Sequence, residues 1–384
     1  MRILHFINDL HAAGSQVEML RLLGEERRWG WESAVVTFAD GHLSSEVAAL
    51  GAPVFSLGMR TGAPLASHLL YLLRAPAIVR LTRRWRPQLV QGWMYHANLA
   101  ASLAATCRAG IMPVLWRIGQ TIHNLAIERR TTAAMMRAGG LVSRQPAAII
   151  YNSEASARQH EARGYAAARR VVMAGGFDCE LFRPSPEARG AVRNELGLDE
   201  DAILIGLMAR LHPMKDHAGF LRAAHVVAAR HRNVYFVLAG SGVTADAPEL
   251  ARGIAEHRLE GRVFLLGLRR DMMRLNAALD IACSASSHGE GFSNAIGEAM
   301  ACGVPCVATD VGDTARLVGG TGVIVPPRDP TALARALGEL IEAGAAGRRP
   351  LGHASRQRIE REFSLKVVAQ RYRELCEDRV GEPA

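Results

Sequence analysis

What most constrains this chain is an order of elements. Short apolar runs, each followed by a helical stretch, recur from one end to the other. In the first half the runs are Ile3–Ile7, Ala34–Phe38, Val54–Leu57, Leu89–Trp93, Val114–Ile118 and Ala147–Tyr151. A loop and helix start lie at Gly14–Leu23, and a long helical segment covers Leu65–Arg84. The second half repeats the scheme with Ile203–Ala209, Tyr235–Ala239, Val263–Leu266, Ile281–Ser284, Cys306–Thr309 and Val323–Val325, separated by helices near 216–230, 247–257, 293–302 and 331–343. Continuous apolar strands alternating with helices predict parallel sheets covered on both faces. At 384 residues the chain is too long for one ordinary core and fits two Rossmann-like domains. Phe182–Glu187, with Pro184 and Pro186, reads as the linker. Ligands are then expected at the C-terminal ends of the strands, in a cleft between the domains.

Charge separates the halves. Residues 1–184 hold 21 arginines against 12 carboxylates, whereas residues 185–384 balance 25 against 25, so the formal +9 lies wholly in the first half. Such a domain suits an anionic partner, namely a lipid phosphate, a membrane surface or a nucleic acid, or is simply an arginine-rich soluble surface. The segment Leu65–Arg86 joins Leu69, Leu70, Leu72 and Leu73 to Arg74, Arg80, Arg83, Arg84 and Arg86. It reads either as a basic amphipathic helix on a membrane or as a core helix with a solvated basic end, interrupted by Pro76. No apolar run is long enough to span a bilayer, and no secretory leader is visible, so a cytoplasmic protein, peripheral at the membrane's inner face, is expected. The six cysteines form no C-x-x-C pair and read as buried free thiols. No nucleic-acid motif accompanies the charge. Only two lysines stand among 46 basic residues, Lys215 and Lys366. Lysine kept where arginine serves everywhere else draws notice to Lys215.

The chemistry concentrates in Ser287-His-Gly-Glu-Gly-Phe-Ser-Asn-Ala-Ile-Gly-Glu-Ala-Met-Ala-Cys-Gly-Val-Pro305, which follows the strand ending near Ser284. Glu290 falls in the loop, and Glu298 falls about two turns into the next helix. The N–H groups of Gly291, Phe292 and Ser293 at the helix start suit an anion or sugar oxygens, and Gly291 presents no side chain to obstruct them. Glu290 can accept hydrogen bonds from sugar hydroxyls and Glu298 from a ribose. In Met208-Ala-Arg-Leu-His-Pro-Met-Lys-Asp216, Arg210 ends a strand and Lys215 opens a helix, so both cations can reach one point above the sheet, as a diphosphate leaving group requires. Asp199-Glu-Asp201 has D-x-D form but reads as a solvated turn.

The segment Glu290 to Pro305 resembles the E-x7-E signature of family 4 retaining glycosyltransferases. Val307-Ala-Thr-Asp-Val-Gly-Asp313 and Gly322-Val-Ile-Val-Pro-Pro-Arg-Asp-Pro330 extend the likeness in order. The resemblance implies an α/β GT-B fold, two Rossmann-like domains facing each other across a cleft. An acceptor domain would cover residues 1–182 and a donor domain 183–363, with a helix at 364–384 packing back on the first. It implies Arg210, Lys215 and Glu290 as catalytic residues. Gly14, Gly240, Gly242, Leu268, Gly291, Phe292, Ser293, Asn294 and Glu298 would surround the nucleotide-sugar donor. Ala239-Gly-Ser-Gly242 is similar to the family's strand-ending glycine turn, and Leu266-Gly-Leu-Arg-Arg270 lies where the family packs the base. No metal and no cofactor are implied.

The first half departs more from the family. Ala12-Ala-Gly-Ser-Gln16 keeps only Gly14 of the usual paired glycines. Where many relatives place a functional His after the strand Val114–Ile118, this chain has Gly119 and Gln120, so either His96, Arg117 or His123 would take the acceptor or sugar contact, or the role is absent. Met173-Ala-Gly-Gly-Phe-Asp178 keeps Gly176 and Asp178 of a further family segment. The reaction implied is retaining transfer from a UDP- or GDP-sugar to a saccharide or polyprenyl-diphosphate-linked acceptor in surface-glycan synthesis, with domain closure excluding water. The alternatives are a sugar-nucleotide epimerase and a silent GT-B scaffold.

Overall fold

A computed structural model describes residues 1–11, 14–59, 69–106, 112–122 and 130–381, without the side chains of 69–73. It divides into two units, Met1–Ala174 with Val368–Ala384, and Gly175–Val367.

The first unit runs β1 (Arg2–Ile7), α1 (Gly14–Arg28), β2 (Glu32–Thr37), α2 (Ser44–Ala49), β3 (Val54–Ser56), α3 (Leu69–Trp85), β4 (Leu89–Trp93), α4 (Tyr95–Thr106), β5 (Val114–Ile118), α5 (Arg130–Val142), β6 (Ala148–Tyr151), α6 (Glu154–Glu161) and β7 (Arg170–Val172). All seven strands are parallel, in the order β3-β2-β1-β4-β5-β6-β7. The order reverses between β1 and β4, so the loops after these two strands diverge and leave a crevice at that end of the sheet. Helix α3 continues through Pro76. Strand β7 is short and part-exposed, and it is not among the strands expected from the sequence.

The second unit runs α7 (Pro186–Glu195), β8 (Ile203–Met208), α8 (His217–Arg230), β9 (Val234–Ala239), α9 (Pro248–Glu256), β10 (Val263–Leu265), α10 (Met272–Ala278), β11 (Ile281–Ser284), α11 (Asn294–Ala301), β12 (Cys306–Thr309), α12 (Thr314–Val318), β13 (Val323–Val325), α13 (Pro330–Glu342) and α14 (Gly344–Arg358), then a π-type turn at Ile359–Phe363 and the start of α15 (Leu365–Gly381). Its six parallel strands lie in the order β10-β9-β8-β11-β12-β13, with the reversal between β8 and β11.

The unit boundary falls at Ala174–Gly175, ahead of the proline-rich segment that reads as a linker. Phe177 explains the difference. Its N–H donates to the Phe363 carbonyl at 2.9 Å and its carbonyl accepts from Leu365 N at 2.7 Å, while its ring lies over Gly297. Pro186 is a helix starter here, with Ser185 Oγ capping Ala188 N at 3.1 Å. Arg189 and Arg193 both reach Asp280, at 2.8 and 2.6 Å, and so fasten α7 under the sheet. Residues from Val368 onward belong to the first unit, where Val368, Tyr372 and Cys376 are buried in its core. The Tyr372 hydroxyl donates to Gln91 Oε1 on β4 at 2.5 Å.

Two buried histidines brace the first unit. His5 is wholly buried. Trp93 Nε1–H donates to its Nδ1 at 3.2 Å, so its Nε2–H faces Glu26 Oε2 at 3.1 Å. His160 Nδ1–H donates to the Ser156 carbonyl at 2.7 Å, and Tyr95 hydroxyl donates to Nε2 at 3.0 Å. Burial holds His160 down to about 4, against the opposing pull of the Ser156 carbonyl. A neutral histidine of this kind contributes stability that is complete above the unfolded value near 6.5 and is lost as pH falls towards 4, roughly 3 kcal/mol in all. His160→Gln is therefore expected to flatten the decline in melting temperature between pH 6.5 and 4 relative to wild type. An unchanged slope would remove His160 from the account.

Among the described residues no helix is long and apolar enough to cross a membrane.

Candidate functional site

The second unit assembles its site at the strand-order reversal. Lys215 follows β8 and Glu290 follows β11, neighbouring strands in the sheet though 75 residues apart in sequence, and Lys215 Nζ donates to Glu290 Oε2 at 2.6 Å. Local chemistry delivers each partner. After β8 the chain makes a single 3-10 turn, Pro213–Lys215, capped by His212 Nδ1 accepting from Met214 N at 3.3 Å. Desolvation, followed by the charges of Arg210 and Lys215, lowers the His212 pKa. Asp216 then takes the left-handed conformation at φ 46° and caps α8 by accepting from Gly219 N at 2.9 Å. The Met214 carbonyl accepts from Ser287 N at 2.7 Å, stitching this turn to the loop after β11.

Glu290 is 9% exposed, and its Oε2 also accepts from Ser286 Oγ at 3.4 Å. Ser286 is set in turn by Thr309 Oγ1, which donates to its carbonyl at 2.7 Å. Beneath the loop, Gly312 passes so close to Glu290 that a Cβ there would stand 2.1 Å from the Glu290 carbonyl oxygen. Asp313 N donates to the Gly291 carbonyl at 2.9 Å. Ser286, Thr309, Met214 and Gly312 are supports that reading the sequence does not single out. Only the Val-Gly-Asp turn before α12 gives a local signal for one of them.

No side chain caps α11, and the first N–H groups of a helix have no partner within it. Gly291 and Ser293 lead into this end, Ser293 buried and Asn294 exposed. The Phe292 ring turns away into the interior. It lies 6.0 Å from the Phe177 ring and 5.4 Å from that of Phe363, so what Phe292 can offer a ligand is its backbone. Glu298 sits half-buried one turn further along α11. Arg210 is exposed, its guanidinium against the Met214 thioether at 3.9 Å.

The turns after β9 and β10 hold one another. Gly240 N donates to the Gly267 carbonyl at 2.7 Å, and Gly267 N to the Val243 carbonyl at 2.8 Å. Gly240 has φ 155°, and a Cβ would meet the Ala209 carbonyl oxygen at 2.3 Å. Gly242 has φ 80°. Leu268 is thereby presented at 75% exposure. Its neighbour Arg269 is clamped bidentately by Asp271, both bonds 2.8 Å, and by Glu195 at 2.6 Å; the Arg269 bonds draw the Asp271 pKa down to about 2. Asp199, Glu200 and Asp201 form an exposed turn whose carbonyls at 199 and 200 accept from Arg193.

In the first unit Gly14 opens α1, with open space where a Cβ would stand. His96 is half-buried in the first turn of α4. Arg117 on β5 points inward, 4% exposed, and is engaged by Glu18 of α1. A guanidinium so held orients Glu18 rather than standing open to a sugar. His123 lies outside the described residues.

Two units with this strand order and these strand-end loops define the class as GT-B. HepE of Anabaena, in a structure with UDP, is alike over 98% of this chain and 100% of its own, with a TM-score of 0.84 at 24% identity; a further HepE structure holds UDP-glucose. Family models for "Glycosyl transferases group 1" and "Glycosyl transferase 4-like domain" match residues 202–343 and 13–176. The chain belongs to the family 4 glycosyltransferases. It is 34% identical over 214 residues to the D-inositol 3-phosphate glycosyltransferase of Mycolicibacterium gilvum, covering 54% of this chain and 48% of that one. It is 30% identical over 206 residues to the GDP-mannose-dependent monoacylated alpha-(1-6)-phosphatidylinositol monomannoside mannosyltransferase of Corynebacterium glutamicum, covering 51% and 53%. The chain thus spans about half the length of these curated relatives.

Proposed function

We propose that the protein transfers a sugar from a UDP- or GDP-sugar to an acceptor with retention at the anomeric carbon, and that the second unit binds the donor. The observation that carries this reading is the Lys215–Glu290 pair at the sheet's reversal point, beside the uncapped start of α11. A pyrophosphate displaces the Glu290 carboxylate from Lys215 and takes the ammonium, the Arg210 guanidinium and the free N–H groups as its counter-charges. The released Glu290 accepts from the donor sugar's hydroxyls, and Glu298 accepts from the ribose. As the bond from the anomeric carbon to the diphosphate oxygen breaks, negative charge grows on that oxygen, where these groups lower its energy most. The acceptor oxygen forms the new bond on the same face and passes its proton to the departing phosphate, so no separate protein base is required. HepE binding UDP-glucose and the Corynebacterium relative's use of GDP-mannose agree with a nucleotide-sugar donor. The excess of arginine in residues 1–184 suits a phosphate-bearing acceptor, such as a polyprenyl-diphosphate-linked saccharide at an anionic membrane.

A thermal-shift screen of UDP-, GDP- and ADP-sugars tests the donor. One nucleotide-sugar at 100 times its Kd should stabilise the fold by about 2.7 kcal/mol, and mass analysis with lipid-linked acceptors should then show glycosylated product. No shift with any of them would remove the donor-site reading.

A further inference from the structure

The chain has five tryptophans. Trp93 and Trp116 are core residues, 1% exposed. The other three gather at the opposite end of the first sheet from Gly14 and His96, where β2 begins and where α1 and α3 end. Trp29 and Trp31 meet edge to face at 4.9 Å, and Arg373 lies 5.7 Å over Trp29. Beside them opens a cavity of about 390 Å³ lined by Trp31, Trp85, Arg27, Glu32, Ser33 and Pro53.

We infer that this cavity is a saccharide-binding site, separate from the site in the second unit, that holds a pyranose unit of a glycan. Its volume is that of a small-molecule pocket, and its lining joins two tryptophans to a few polar residues. A pyranose ring has an apolar C–H face for an indole and equatorial hydroxyls for a carboxylate and a guanidinium. Glu32 supplies an exposed carboxylate. Arg27 Nη1 is tied to the Ala49 carbonyl at 2.9 Å, which fixes the guanidinium while leaving it exposed. Ser33 is held by its 2.5 Å bond to Glu26 Oε2.

The test is binding without any donor. Saturation-transfer NMR and tryptophan fluorescence would be recorded with methyl α-glucoside, α-mannoside, α-galactoside and N-acetyl-β-glucosaminide. At least one should bind with a Kd of order 1 mM. Trp31→Ala and Trp85→Ala should each weaken it at least tenfold, while Lys215→Ala leaves it unchanged. Should either alanine variant fold poorly, Glu32→Gln at an exposed position is expected to weaken binding several-fold. Four outcomes would overturn the inference: no glycoside binding, binding that survives all three pocket substitutions, binding lost in Lys215→Ala, or a fluorescence response only to phosphatidylglycerol vesicles. Because no transfer is measured, failure of the donor assignment would leave this result standing.

Discussion

Lys215→Ala is expected to lower kcat for transfer by roughly 10²- to 10³-fold, the usual cost of removing one pre-positioned donor to a developing anion. The donor's KM should change far less, because the diphosphate gains most of its charge on this oxygen as the bond breaks. Lys215→Arg should recover only part of the loss. Nζ reaches Glu290 at 2.6 Å from a single 3-10 turn, and a planar guanidinium occupies that space differently from a compact ammonium. The fold should survive, since the turn is held by backbone bonds to Asp216 and Ser287 and α8 keeps its Asp216 cap. Initial rates with the donor found by screening, beside circular dichroism and melting of the same samples, decide the matter. A variant with wild-type kcat would mean that the diphosphate is stabilised elsewhere.

How far the sequence alone reaches can be seen from particular elements. Strands β11 and β12 coincide with the runs at Ile281–Ser284 and Cys306–Thr309, because a parallel strand buried along its whole length reads as a nearly continuous apolar run; β13 coincides with Val323–Val325 although it is a part-buried edge strand. Helix α7 was hidden, since Pro186 carries the same letter whether it breaks a chain or starts a helix. Lys215 and Glu290 each stand out by composition and motif, but that they touch depends on β8 lying beside β11, a property of strand order. Phe292 reads as a ligand contact from its place in the motif, yet its ring needs Phe177 and Phe363 to explain it, and both are distant in sequence. Arg117 reads as an available cation because nothing local reveals Glu18 across the sheet.

Gly312→Ala is expected to damage stability and activity together, because one glycine serves both. Its φ of 63° costs a residue with a Cβ about 1–2 kcal/mol. The added carbon would stand 2.1 Å from the Glu290 carbonyl oxygen and 2.8 Å from that of Gly291. Both obstacles are backbone, so no side-chain rotation relieves the clash; either the Asp310–Asp313 turn or the Glu290–Gly291 loop must shift. The turn is anchored on its other side, where Asp313 is 4% exposed and bonded to Arg316 at 3.0 Å, and where Asp310 N donates to the Val325 carbonyl at 2.9 Å. The loop is the softer partner, and moving it takes Glu290 away from Lys215. We expect a stability loss of about 2–4 kcal/mol and, where the variant is still folded, a fall in kcat of about 10²-fold for an ångström of displacement. Gly338→Ala is the matching control. It lies inside α13 with open space where its Cβ would stand, and should raise stability by about 0.5–1 kcal/mol with kcat unchanged. If Gly312→Ala melted and turned over like Gly338→Ala, the loop would tolerate the displacement, and close packing beneath Glu290 could not be what holds the site in register.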